Sequence, residues 1–430
     1  LRLWSSAGEE QAVLRGHEGW VNGALALSDG RLLSWSRDGI LRLWSSAGEE
    51  QAVLRGHEGE VNGALALSDG RLLSWSDDKT LRLWSSAGEE QAVLRGHEGE
   101  VKGALVLSDG RLLSWSRDGI LRLWSSAGEE QAVLRGHEGW VNGALALADG
   151  RLLSWSLDGT LRLWSSAGEE QAVLRGHKYG VNGALALVDG RLLSWSDDKT
   201  LRLWSSAGEE QAVLRGHEGG VRGALVLVDG RLLSWSRDKT LRLWSSAGEE
   251  QAVLRGHEGR VNGALALVDG RLLSWSWDKT LRLWSSAGEE QAVLRGHKYG
   301  VNGALALVDG RLLSWSDDKT FRLWSSAGEA IDILAQDYYR GDRAVIADWA
   351  KKHGLTLSDL YPPDAIDPFT AGGCVRAIGN ALVVYDAQTG QTRHAFYGDA
   401  EITAIDVLDE GRTIVAGDRA GRVLFLRVRG

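Results

Sequence analysis

An all-β chain, built as a β-propeller of four-stranded blades, is what the sequence predicts, and three observations carry the prediction. A forty-residue unit repeats along the chain, each unit holds four short apolar segments parted by turns, and side-chain size grades from small to bulky across those segments. Leu1 to Ile40 recurs almost letter for letter from Leu41, Leu81, Leu121, Leu161, Leu201, Leu241 and Leu281, and Leu161 to Thr200 is identical to Leu281 to Thr320. Against so uniform a background, the few positions at which copies differ carry the information.

Within one period the first strand is predicted over Val21 to Leu27, closed by the Asp29-Gly30 hairpin turn, whose residues supply positive φ. Arg31 to Ser36 forms the second strand and Asp38-Gly39 the next turn. Leu41 to Trp44 forms the third and, after Ser-Ser-Ala-Gly, Gln51 to Arg55 the fourth. Gly23, Ala24 and Ala26 suit the crowded axis where blades converge, and Leu32, Leu33, Trp35, Leu41 and Trp44 suit the outside where they splay.

Composition narrows the function. A chain of 430 residues is long for one core, but repeats avoid that limit because each unit packs on its neighbours. The net charge of −9 argues against nucleic acid as a partner. Cys374 is the sole cysteine, so no intrachain disulfide forms and a reducing, cytoplasmic setting is expected. No apolar run reaches membrane-spanning length, so no membrane role is expected. The absence of methionine, with Leu1 falling inside a repeat, points to a piece of a longer polypeptide.

Gly16-His17, Asp29-Gly30, the Ser34-Trp35-Ser36-x-Asp38 stretch and Trp44, in that order and spacing, resemble the WD-repeat (WD40) β-propeller family. Two departures stand out: Ser45 where the family usually has Asp, and bulky Trp35 where it usually has Gly. The resemblance implies that His17, Ser34, Asp38 and Trp44 form a structural hydrogen-bond tetrad, and all eight copies keep these four types. Ser, His and Asp could also be read as a hydrolase triad. A catalytic site has no need of eight copies, however, and no catalytic residue is assigned.

Eight histidines occupy tetrad positions, leaving His353 and His394, and no metal site or cofactor is expected. Asp77-Asp78, Asp197-Asp198 and Asp317-Asp318 each read as one tetrad carboxylate beside one exposed variable residue.

Differences between copies gather in two loops expected on one rim. The first runs Trp20, Glu60, Glu100, Trp140, Lys178-Tyr179, Gly220, Arg260 and Lys298-Tyr299. The second runs Arg37, Asp77, Arg117, Leu157, Asp197, Arg237, Trp277 and Asp317. Asn22 and its counterparts stand one residue into the first strand, replaced by Lys102 and Arg222 in two copies. Equally exposed turns at the other end barely vary. Trp, Tyr and Arg dominate interface energetics, so the variable rim is expected to bind a protein or peptide. Position 28 differs in kind: its run from Ser28 to Ala148 to Val188 is a block pattern of duplication.

Residues 1–336 are thus read as near-identical repeats, 337–370 as a proline-containing insert with a helix from Arg343 to His353, and 371–430 as degenerate blades closing the propeller. Strands are placed at Cys374 to Ile378, Ala381 to Tyr385, Gln391 to Phe396, Glu401 to Val407, Thr413 to Ala416 and Gly421 to Val428. Ala416, Ala420 and Leu426 stand where the tetrad Ser, Asp and Trp would be. One ring is the first reading, and two rings the alternative. The functional expectation is a non-enzymatic recognition module, resembling the sensor part of internally repetitive bacterial and fungal proteins with an upstream effector domain. The alternatives are a glycan-binding propeller, with Trp20, Trp140 and Tyr179 as platforms, and a structural or engineered scaffold.

Overall fold

The computed structural model describes residues 2–4, 10–27, 29–307 and 309–335, together with six strands between Gly373 and Arg427. The helix-bearing insert expected at 337–370 lies outside the described residues. Eight four-stranded antiparallel sheets follow one another, each a meander in chain order. The first comprises Val21–Ala26, Leu32–Ser36, Leu41–Trp44 and Glu50–Leu54, and the eighth ends at Ala330–Ala335. These sheets are the blades, numbered one to eight, with first strands starting at Val21, Val61, Val101, Val141, Val181, Val221, Val261 and Val301. Arg2–Trp4 and Glu10–Val13 form a two-stranded sheet, and the C-terminal strands form two three-stranded sheets, Gly373–Ile378 to Thr392–Tyr397 and Ile402–Leu408 to Val423–Arg427. The chain divides into two compact units, blades one to four in the first and five to eight in the second. Among the described residues no helix is long and apolar enough to cross a membrane.

The hairpins differ from expectation in turn type. Leu67 donates its N–H to the Arg71 carbonyl at 2.8 Å and Gly70 its N–H to the Leu67 carbonyl at 3.0 Å, which encloses three loop residues. Only Gly70 has positive φ, +84°, so this is a type I turn followed by a left-handed residue. Asp69 keeps ordinary backbone angles and turns its carboxylate toward the end of the loop, where it accepts the Arg71 N–H at 3.1 Å and the Arg71 Nε–H at 2.8 Å. The Ser85–Glu89 turn repeats the design. There the Ser85 hydroxyl accepts the N–H groups of Ala87 and Glu89, so serine serves where the family's aspartate is usual.

Cores form where one blade meets the next. Leu65, Leu73, Leu81, Leu83 and Leu94 of blade two pack with Val101, Ala104, Leu112 and Trp124 of blade three. The same arrangement recurs between blades five and six, where Trp244 enters the cluster of Leu193, Leu201, Leu203 and Leu214. Each such Trp is almost wholly buried, Trp124 to 2% exposure. A full indole withdrawn from water contributes about 2–3 kcal/mol per seam by apolar area. Polar ties reinforce the seams: Arg111 donates to the Ser166 carbonyl at 2.6 Å, and Arg191 to the Ser246 carbonyl at 2.7 Å.

Trp35, the second departure, is explained by its cross-strand partner. Gly23 stands directly opposite it in the register, and a Cβ on Gly23 would come within 2.3 Å of the Trp35 ring. The indole lies over the glycine and covers the backbone the missing side chain leaves bare.

The candidate binding rim

At the end of each blade where the second and third strands meet, a buried polar network holds the loop that precedes the first strand. His97 Nδ1 lies 2.9 Å from the Asp118 carboxylate, and His97 Nε2 lies 2.8 Å from Ser114 Oγ. A carboxylate only accepts, so Nδ1 carries the proton, and Nε2 accepts from the serine hydroxyl. Trp124 Nε1–H then donates to the same Oγ at 2.9 Å. His17, Ser34, Asp38 and Trp44 form this relay in blade one, and every other blade repeats it.

The serine, histidine and aspartate are connected as in a hydrolase triad, yet the serine is fully buried in every blade and its oxygen is engaged on both sides. No carbonyl can approach it. Burial lowers the proton affinity of His17 and His297 below the ordinary imidazole value, only partly offset by the paired aspartates. Burial alone would raise the tetrad carboxyls, but the histidine and backbone N–H bonds outweigh it, and all eight lie below the usual carboxylate range. In blade two the Thr80 hydroxyl adds a further bond to Asp78 at 2.7 Å.

The network fixes the two variable loops side by side. The Asp38 carboxylate accepts the N–H of Glu18 in the first loop at 2.9 Å and of Ile40 in the second at 3.0 Å. The variable residues themselves are joined by backbone bonds: Arg37 N–H donates to the Trp20 carbonyl at 2.9 Å, and Trp277 N–H to the Arg260 carbonyl at 3.0 Å. The same bond links Asp77 with Glu60, Arg117 with Glu100, Leu157 with Trp140, Asp197 with Gly180, Arg237 with Gly220 and Asp317 with Gly300. Asn22 and its counterparts occupy a β-bulge, the register shifting between Val21 and Gly23, which aims their side chains at the rim. From that bulge Asn62 donates to Asp77 at 2.7 Å and to the Val101 carbonyl of the next blade at 2.9 Å.

Within each unit, the second-loop residue of one blade also meets the first-loop residue of the next. Arg37 lies 3.5 Å from Glu60, and the Arg117 guanidinium sits 4.2 Å above the Trp140 ring. A Cβ on Gly220 would come within 2.4 Å of the Asp197 carboxylate, so glycine makes room there, whereas one on Gly300 would make ordinary contact with Trp277 at 3.4 Å. Asp77 and Glu100 would place two carboxylates at one seam. There the bulge residue is Lys102, 3.3 Å from Asp77 and 2.6 Å from Glu100.

Most of the rim is open. Trp20 is 76% exposed and Tyr179 65%, and Trp140, Leu157, Trp277, Tyr299, Lys178 and Lys298 are exposed too. The charges divide unevenly. Blades one to four set Arg37, Lys102 and Arg117 against Glu18, Glu58, Glu60, Asp77, Glu98, Glu100 and Glu138, whereas blades five to eight set Lys178, Arg222, Arg237, Arg260 and Lys298 against Asp197, Glu218, Glu258 and Asp317. Among the described residues no group of His, Cys, Asp and Glu is placed to hold a metal ion.

Two rim features escaped the sequence. The threonine of the Thr80 position joins the tetrad, as its recurrence in six copies could have shown. In the same turn Lys79, Lys199, Lys239, Lys279 and Lys319 hold positive φ, 62–74°, where other copies use Gly39, Gly119 and Gly159. These lysines add cations chiefly to blades five to eight.

The WD domain, G-beta repeat family model matches residues 8–45, 48–85, 88–125, 128–165, 168–205, 208–245, 248–285 and 288–325. Among solved structures the chain is similar to the computationally designed Ika8 protein, at 25% identity and TM-score 0.55, covering 73% of this chain and 98% of that one. It is also similar to the WD40 β-propeller domain of Doa1, at 25% identity and TM-score 0.42, covering 67% and 97%. A comparison with curated proteins returned no match. Eight matched units spanning most of its length, each built on the same buried tetrad, show that the chain belongs to the WD40-repeat family and that its four-stranded sheets are WD40 propeller blades.

Proposed function

We propose that this chain is a non-enzymatic recognition module that binds a protein or peptide partner through the variable loops, as the sensor part of a larger multidomain protein. One observation carries the reading: the positions at which otherwise uniform copies differ form a backbone-bonded pair at the same end of every blade. Exposed Trp20, Trp140, Tyr179, Trp277 and Tyr299 supply the aromatic anchors that interfaces favour. Likeness to a computationally designed protein supports a second reading, a scaffold whose rim differences have no ligand.

The test is selection of binders from a displayed random-peptide library, on this chain and on a levelled chain. The levelled chain carries Trp20→Gly, Trp140→Gly, Tyr179→Gly, Arg260→Gly and Tyr299→Gly, each a residue that other copies hold at that position. Peptides that bind this chain and lose the levelled one support recognition. Equal enrichment on both, with unchanged circular dichroism, leaves the scaffold reading.

A further inference from the structure

Taking the variable loops as a recognition surface, we infer that those of blades five to eight bind an acidic peptide segment, one carboxylate of which seats among Arg222, Arg237 and Arg260. The inference deepens the proposed function and depends on it.

It begins from the one seam that breaks the pattern. At the other seams described, neighbouring rim residues neutralise, stack on or make room for each other, down to the lysine that bridges Asp77 and Glu100. Where blade six meets blade seven, the second-loop residue is Arg237, the first-loop residue is Arg260, and the bulge residue of blade six is a third arginine. Asp197, 3.8 Å from Arg237, is the one ion-pair partner these three guanidinium groups have among the described residues. The exposed Arg222 makes no side-chain hydrogen bond among the described residues, and partial desolvation together with repulsion from both other arginines, offset in part by Asp197, weakens its hold on its proton. Three cations sharing one carboxylate are missing an anion, and a carboxylate accepting from two guanidinium forks would supply it.

The surroundings favour a peptide over a polyphosphate chain. The Arg260 guanidinium sits over the Trp277 ring at 4.4 Å, and Trp277 is half exposed. Glu258, Gly259, Arg260, Trp277, Asp278 and Lys279 line a shallow depression at this point, the Asp278 carboxylate being held by His257. Carboxylates at Asp197, Glu218, Glu258 and Asp317 interrupt the basic surface, so a strand with a negative charge on every residue meets repulsion at these points. A peptide that alternates acidic with apolar residues matches both the cations and the aromatic rings between them.

The experiment measures fluorescence anisotropy of a labelled peptide alternating Glu and Leu, beside its Gln-Leu and Lys-Leu counterparts, a phosphoserine-Leu peptide and a single-stranded oligodeoxynucleotide. Arg222→Asn, Arg237→Asp and Arg260→Gly each install a residue native to the same position in other blades, so the fold is kept. The expected result is binding of the Glu-Leu peptide alone or most tightly, weakened roughly three- to tenfold by each change. Equal binding of the Gln-Leu peptide overturns the inference, as does binding insensitive to the three arginines or preference for the phosphoserine peptide or oligonucleotide. Library selections yielding rim-dependent peptides that are not acidic would end this inference and leave the recognition reading standing.

Discussion

Replacing Ser114 with alanine removes one oxygen from a place water does not reach and strands two partners at once. Ser114 has no exposed surface, and its Oγ is 2.8 Å from His97 Nε2 and 2.9 Å from Trp124 Nε1. Each buried polar atom left without a partner costs about 1–3 kcal/mol, so the substitution should cost about 2–6 kcal/mol. The Trp124→Phe variant removes the indole donor but leaves the serine hydroxyl free to serve His97, so it loses one bond along with some packing. In the double variant the Trp124–Ser114 bond can be lost only once, and its cost should fall short of the summed single costs by roughly 0.5–3 kcal/mol. Urea unfolding followed by circular dichroism gives all three values from the transition midpoints at constant slope. A Ser114→Ala cost under about 1 kcal/mol, or strict additivity in the cycle, would refute the claim that the relay is a satisfied and coupled buried network.

Other perturbations test separate parts of the structure. Gly143→Ala places a Cβ 2.3 Å from the Trp155 ring and should cost about 1–3 kcal/mol in the same unfolding assay. Lys239→Gly relieves a side chain held at φ +74° and should raise stability by about 0.5–1 kcal/mol, no gain showing that the turn is unstrained. Lys102→Asn installs the residue most copies carry, yet it leaves Asp77 and Glu100 facing each other. It should therefore destabilise, by about 0.2–1 kcal/mol, and less so at high salt. Acid should act in two stages, read from unfolding midpoints against pH. The folded pKa values of His17 and His297 are depressed, so the stability from keeping them neutral is complete above the unfolded imidazole value near 6.5 and erodes as pH falls below it. The tetrad carboxyls are depressed as well, so their contribution is complete above about pH 4 and is lost as pH falls on toward their folded values.

The period, the four strands and the tetrad were legible because each is stated eight times within the chain, and the strand limits moved by only a residue or two. Turn chemistry was less so. Asp-Gly reads as a two-residue hairpin until Asp69 is seen bonding Arg71, which leaves Gly70 as the sole left-handed residue of a longer loop. Trp35 looked like a departure because its explanation, Gly23, lies across the strand pair rather than beside it in sequence. The seam contacts were the least legible: Arg37 meets Glu60 and Arg117 meets Trp140 across a blade boundary, and no repeat pattern marks such pairs.

Those contacts change what a specificity surface of this kind can be. If each blade offered its loops independently, any residue could stand at any rim position, and the copies could be shuffled without limit. The seams forbid that. Asp197 stands where a side chain on Gly220 would press on its carboxylate, and Trp277 lies so near Gly300 that the first carbon of a side chain there would already touch it. Asp77 and Glu100 can be neighbours because Lys102 lies between them. The unit of variation is therefore the seam, a second-loop residue together with the first-loop residue and bulge residue beside it. A new specificity is installed at least cost by exchanging such a set whole. A single change such as Gly300→Trp would spend its side chain against Trp277 instead of presenting it to a partner.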